Sequence, residues 1–583
     1  MKYIFLIISA FIFVNAQAQQ SDATYLKIHK TYVINEDGSY DYTYTHQLKY
    51  HSYISFHRKY GETFVIYDPD YQSVKVQECK TTMRDGKVVK APDNAFNEVL
   101  PRYAEHSGAY NHLRELVITH TGLEQEALVD LTYTIHSDTM PAGFLSGKES
   151  LVYSSPVKEL KLTFKVPANV ELSFEGNKGQ KVFNENGDQK VYTFIYNELP
   201  ANIKFTRAGG EAASVLYFNQ GKKLETQLIS LMNSELKPDN YDKTFGPVVK
   251  ENMDEVMRIQ RKMVKEMRTI HVPLTFQKLP VPSIKAIQLN NSGTVIEKAL
   301  LLRKKLWDIK IDANLAFEFP VEQFNEKVSN LENVTNVYVV VPTTSDPILL
   351  PVDDIPAANP LFTNYDKVIV ALSPDGELQK LVPQNMNYAK LDMFIKVGKD
   401  YSEVSYQGIA NGIFAGWPGA NFETPRRMTN YTKEIEDDIV IESSASIKMN
   451  GRFESEHNQY DNLLEVKLPI LNAGFNQFIH DQLPKGQPYV VEYGFPLEET
   501  YVYSVDNNND CELIRTPDDF NVKNDFFEIV IRTEKGEKET IITQSVKIKS
   551  PVIPAEHYKQ LRESMINLGK NTGRTLLFRC NEK

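Results

Sequence analysis

The chain has 583 residues, 42% hydrophobic and 24% charged, which is too long for one hydrophobic core and excludes a largely disordered protein. Its 65 Lys and Arg against 76 Asp and Glu give a net charge of −11 with no basic block, so nucleic-acid binding has no electrostatic support. The cysteines are only Cys79, Cys511 and Cys580, which do not make a disulfide framework and have no metal-site spacing.

Met1-Lys2 is a short basic start, Tyr3 to Val14 an apolar run, and Ala16-Gln17-Ala18 a small-x-small site. Together they predict a secretory signal peptide (1–18) cleaved after Ala18, too short to anchor in a bilayer. No Cys follows the site, and no later run is long and apolar enough to span a membrane, so an exported protein is expected, periplasmic or outer-membrane associated. An odd cysteine count in an oxidising compartment leaves at least one thiol unpaired, and a Cys511–Cys580 pair within the C-terminal region stays open.

From Thr24 to about Phe205 short alternating segments such as Leu128 to Tyr133 are separated by Asp37-Gly38, Asp85-Gly86, Gly176-Asn177 and Asn186-Gly187. This pattern predicts antiparallel sheets in a β-sandwich over 19–210. Eight of the twelve histidines lie between His29 and His136, and His46, His51 and His57 sit among tyrosines. A metal or sugar site is one reading, and an ordinary solvated strand face the other; the scattered spacing favours the second. Tyr40, Tyr42 and Tyr44 share one side of a strand, where cross-strand packing outweighs sugar stacking.

Gly209-Gly210 marks a boundary. Helices are expected over Lys222 to Asn233 and Val248 to Arg268, and Pro273, Pro280 and Pro282 then force an extended approach. In Asn290 to Phe319, Thr294 and Glu297 have capping-box spacing, Val295, Ala299, Leu302 and Leu306 make one apolar helix face, and Ala313 to Phe319 reads as a strand. A further strand is expected at Asn336 to Val341, and strands and turns continue to about Ala410. Gly416-Trp417-Pro418-Gly419 reads as a linker or tight loop. The remainder predicts a β domain over 401–583, with a hairpin across Glu534-Lys535-Gly536 and a helix from Pro554 to Gly569. Asp506 to Asp510 has the composition of a calcium loop but lacks its Gly and final Glu, which favours a polar turn.

Two resemblances follow from these landmarks. The order Asp37-Gly38-Ser39, Arg84 to Val89, His112 to Leu116, His120 to Glu124 and Ser155-Pro156-Val157 resembles domain of unknown function 3857, which precedes transglutaminase-like domains in bacterial envelope proteins. Gly293, Glu297, Lys298 and Ala299 resemble the nucleophile region of the transglutaminase-like superfamily, Gly-Asp-Cys-x-Asp-Lys-Ala, with Thr294 at the Asp and Val295 at the Cys. The resemblance implies a papain-like α+β module over 211–400 whose Cys, His and Asp positions carry Val295, Asn336 and Leu350, with Asp353 and Asp354 near the third. Valine cannot be a nucleophile and asparagine cannot shuttle a proton at neutral pH. Between Phe205 and Tyr401 there is no Cys, and the one His is His271. Thr294 is better explained as a helix cap than as a substitute nucleophile.

The expected protein is therefore a multidomain α+β chain: N-terminal β-sandwich, degenerate transglutaminase-like module, and C-terminal β domain ending in a helix. The leading expectation is a non-catalytic exported protein that binds a peptide, glycan or envelope protein through Gly293, Thr294, Val295 and Asn336, with no cofactor or metal. The alternative is a peptidase or acyl transferase using other residues. A Cys, Ser or Thr in hydrogen-bond reach of a His, with an acid behind that His, is the arrangement that favours it.

Overall fold

The computed structural model describes residues 21–580 except 106, 140–143, 202–214, 222, 233–244, 277–283, 321–323, 325–327, 329–330, 364–366, 385, 418–427, 444, 473, 475–490, 493–495, 508–510, 551 and 570. The signal peptide, the Gly209-Gly210 boundary, Pro280, Pro282, Pro418, Gly419 and the end of the Asp506 to Asp510 turn lie outside the described residues. The architecture is mostly β, with several sheets and a C-terminal helix. No helix among the described residues is long and apolar enough to cross a membrane.

The chain divides into two compact units. The first holds residues up to Leu145, Glu149–Ile203 and Ser214–Gln220. Its strands include β1 (Ala23–Ile34), β2 (Tyr40–Tyr50), β3 (Glu62–Tyr67), β4 (Gln72–Thr82), β5 (Val88–Lys90), β6 (Phe96–Val99), β7 (Arg114–Thr119) and β8 (Leu128–Ser137), followed by Val157–Pro167, Gln180–Asn186 and Gln189–Leu199. Eight of these form one sheet, in the order Gln180–Asn186, Gln189–Leu199, Val157–Pro167, β1, β2, β8, β4, β5. A smaller sheet runs β3, β7, β6. Gly38 and Gly86 take φ of +85° and +86° with open space beside them, so the turns want glycine for its backbone freedom and not for its size. Tyr42 and Tyr44 pack on Tyr133 across the β2–β8 pair at 6.5 and 5.3 Å between ring centroids, as cross-strand packing requires.

The second unit carries the helices. Those nearest the site are α1 (Leu224–Met232), α2 (Lys250–Glu266), α3 (Ile284–Asn290) and α4 (Val295–Asp308). The antiparallel sheet beside α4 orders Ile348–Leu350, Asn336–Val341, Asn314–Pro320, Lys367–Leu372 and Leu378–Leu381, and α4 packs on its Asn336–Val341 strand. The single apolar face expected for α4 is too narrow: Ile296, Leu300, Leu301 and Arg303 are buried as well as Ala299, Leu302 and Leu306, so the helix is enclosed nearly all round. Ser292–Thr294 forms a short strand paired in parallel with Arg268–Ile270, and α3 precedes it; neither follows from the sequence pattern.

The C-terminal part of this unit has its own core, between an eight-stranded and a four-stranded sheet. The expected hairpin is Phe527–Lys535 with Glu539–Ile548, and the expected helix is Ala555–Gly569. A last strand, Thr575–Cys580, follows the helix and pairs with Cys511–Arg515, where a Cys511–Cys580 disulfide closes the pair. Cys79 is the free thiol.

Candidate functional site

The parallel pair Arg268–Ile270 with Ser292–Thr294 sets the entry to α4, since Ile270 lies beside Thr294. Thr294 then caps the helix: Glu297 N–H donates to Thr294 Oγ1 at 3.4 Å, and Thr294 N–H donates to Glu297 Oε2 at 2.7 Å. Burial raises the Glu297 pKa. Gly293 sits close to the cap, and a Cβ there would meet Glu297 Cβ and Oε2 at 3.2 Å, so Glu297 would have to shift by a few tenths of an ångström. Val295 follows at the first helical position, half-buried against the core.

One turn on, Lys298 is 0% exposed and its Nζ donates to Met267 O at 2.8 Å and Thr269 Oγ1 at 2.7 Å. Burial lowers its pKa to about 8, partly opposed by the charge of Asp353. Asp353 belongs to the loop after Ile348–Leu350, and that loop is held from α2: Gln260 Nε2 donates to Pro351 O at 2.8 Å and to Asp354 O at 3.1 Å. Gln260 is 0% exposed, on the helix face that also carries Met253, Val256 and Met257. A lone polar residue at helical spacing within an apolar face was the signal for it in the sequence, and it was missed.

The remaining positions of the expected triad are distributed over two strands. Leu350 is fully buried and pairs with Val339. Asn336 opens the neighbouring strand, and its Oδ1 accepts from Val337 N–H at 2.8 Å. The ladder between these strands ends at Val339–Leu350, so Leu350 does not pair with Asn336, and Asp353 lies in the bend that follows. No thiol, imidazole or solvent-facing hydroxyl stands among Gly293, Thr294, Val295, Asn336 and Leu350; Thr294 itself is 0% exposed. A recess of about 520 Å³ runs along α2, α3 and α4, lined by residues including Arg258, Lys262, Gln288, Asn291 and Lys305. It is not lined by the Val295 turn.

Two constellations in the first unit come near a catalytic arrangement. Thr24 Oγ1 lies 3.0 Å from His51 Nε2, and His51 Nδ1 lies 3.4 Å from Glu126 Oε1. This matches nucleophile, base and acid in order. However, the N–H of Tyr25, the residue after Thr24, is spent on Pro156 O at 2.9 Å. It cannot serve as the oxyanion donor that the N–H after a nucleophile supplies in hydroxyl-based hydrolases. Cys79 Sγ lies 3.7 Å from His120 Nδ1, whose Nε2 meets Thr63 Oγ1 at 3.0 Å. Burial pushes the Cys79 thiol up to about 11 and His120 down to about 4, so this pair is neutral at pH 7 and holds no thiolate. His46, His51 and His57 do not converge. His46 is buried beside His120, which corrects the expectation of a solvated face, His51 faces Thr24, and the His57 ring lies 3.8 Å from that of Tyr53.

Residues 36–203 match the family model of a domain of unknown function with a solved structure (DUF3857), and residues 433–578 match that of another (DUF3858). Neither match reaches α4. No curated protein matches the chain. Among solved structures, a crystal structure described as a "putative protease" from Parabacteroides distasonis ATCC 8503 is similar at a TM-score of 0.69 and 20% identity. The likeness in fold covers 96% of this chain and 99% of that one.

Proposed function

We propose that this is an exported, non-catalytic protein in which a transglutaminase-like module (211–400), between an N-terminal β-sandwich (19–210) and a C-terminal β domain (401–583), binds a peptide, glycan or protein of the cell envelope. The observation that carries the reading is the first turn of α4: a complete helix cap at Thr294 and Glu297, with half-buried Val295 where the resemblance wants a thiolate. Asn336 on the neighbouring strand supplies hydrogen-bonding groups without a proton shuttle. The Cys511–Cys580 disulfide supports an oxidising compartment and so the expected export after Ala18.

The rival reading, a peptidase with other catalytic residues, draws on the description of the similar crystal structure and on Thr24, His51 and Glu126. The committed Tyr25 N–H weighs against it.

The test is co-sedimentation of the mature chain with isolated cell-envelope fractions. Val295→Asp suits a helix N-terminus, so it keeps the fold while adding a charge to the site. Binding by wild type that Val295→Asp or Asn336→Lys weakens at least tenfold is the expected result. Binding lost in Lys262→Glu and Lys305→Glu but kept in Val295→Asp would move the site to the flank of α2 and α4 and overturn this placement.

A further inference from the structure

The turn between β3 and β4 brings together a set of ligating groups that the site above does not use. Asp68, Asp70 and His112 each offer one atom, all within 4.8 Å of one another. The backbone fixes this grouping. Tyr67 pairs with Arg114 at the end of the β3–β7 ladder, so the residues just beyond, Asp68 and His112, emerge side by side. Asp68 then folds the chain back: its Oδ1 accepts from Asp70 N–H at 3.0 Å, and its carbonyl accepts from Gln72 N–H at 2.7 Å. An Asp-x-Asp turn thus presents two carboxylates to one imidazole.

Beyond the Asp70 N–H on Asp68 Oδ1, these side chains engage chiefly one another. Asp68 is 5% exposed, and its Oδ2 faces His112 Nε2 at 3.3 Å. That nitrogen is shielded from solvent yet makes no hydrogen bond among the described residues. The exposed Asp70 carboxylate has no ion-pair partner among them, and the nearby Arg114 guanidinium donates to the carbonyls of Asn111, His112 and Leu113 instead. A buried carboxylate facing a shielded imidazole nitrogen that makes no hydrogen bond, with a second carboxylate beside them, is a donor set that a divalent cation completes.

We propose that Asp68, Asp70 and His112 bind a divalent first-row transition metal ion in the N-terminal β unit. Two hard oxygens and one imidazole suit Zn²⁺ or Mn²⁺ over Ca²⁺, whose sites are built from oxygen alone, and over thiolate-seeking ions. Three protein ligands leave the remaining coordination positions to solvent or to a group from a partner. The ion would cross-link the β3–β4 turn to the segment entering β7.

The competing reading is a plain His112–Asp68 ion pair, and it involves Asp70 not at all. The experiment is calorimetric titration of EDTA-treated mature chain with ZnCl₂, alongside thermal melts. One Zn²⁺ per chain, a raised melting temperature, and at least tenfold weaker binding in Asp70→Asn and in His112→Gln are expected. Asp70 is exposed, so Asp70→Asn keeps the fold, and His46→Gln should leave the titration unchanged. Absence of saturable binding, or binding that Asp70→Asn and His112→Gln leave intact, overturns the proposal.

Discussion

Thr294 and Glu297 satisfy one another across the first turn of α4, each donating its backbone N–H to the side chain of the other. Both are buried, so neither exchanged bond has water as a substitute. The exchange occupies the hydroxyl of the residue next to Val295. Thr294→Val keeps the shape and removes the acceptor, and should cost about 1–2 kcal/mol in denaturant unfolding. Glu297→Gln preserves the acceptor at the same place and should stay within about 0.5 kcal/mol.

Lys298 gives α4 a signature in alkali. Its pKa is lowered from 10.5 to about 8 in the folded chain, so between those values the unfolded state binds a proton that the folded state does not. Stability therefore rises with pH through this window. Below about pH 8 both states are protonated and the cost of burying the charge is fully present. Cys79, raised from 9.0 to about 11, opposes the trend above pH 9. The clean interval is pH 8 to 9, where wild type should gain on the order of 1 kcal/mol relative to Lys298→Met. A parallel pH dependence of the two proteins would contradict this.

The buried histidines act at the other end of the scale. His46 is lowered to about 3 and His120 to about 4, both through burial. Between pH 6.5 and about 4 the unfolded chain takes up protons that these residues refuse, so stability present above pH 6.5 is lost as pH falls. Two such groups give up to about 2 kcal/mol lost between pH 6 and 5. His136, raised by its hydrogen bond to Asp41, works in the opposite direction but is partly exposed. His120→Gln should flatten the acid limb of a pH–stability profile, and an unchanged slope would count against the burial explanation.

Cys511 and Cys580 join strands 69 residues apart in sequence. Restricting the unfolded chain over a loop of that length is worth about 4 kcal/mol in the chain-entropy model. The Cys511→Ser, Cys580→Ser protein should lose stability on that order, measured by denaturant midpoint with Cys79 intact.

How much of this was legible depends on how local each feature is. The cap of α4 was readable because Thr294 and Glu297 are three residues apart, and the turns at Gly38 and Gly86 because their backbone requirement is carried by single residues. The strand Ser292–Thr294 was not readable: a three-residue parallel pair with Arg268–Ile270 leaves no periodic pattern. The contact of Asp353 with the charge of Lys298 was not readable, since it depends on how the loop after Ile348–Leu350 packs beside α4. Gln260 and His46 were missed or misjudged because a polar residue in a core is explained only by the partner that folding brings to it. The grouping of Asp68 and Asp70 with His112 likewise depends on the β3–β7 ladder.

The most direct test of the proposed non-catalytic role is turnover itself. Purified mature chain and its Thr294→Ala, Thr24→Ala and His51→Gln variants would be incubated with an envelope-derived peptide mixture, with and without an amine acceptor, and the products read by mass spectrometry. The expected result is that wild type forms no hydrolysis or acyl-transfer product above the level of any variant. A product formed by wild type and abolished by Thr294→Ala would restore α4 as an active site. One abolished by Thr24→Ala and His51→Gln would place an enzyme in the N-terminal unit.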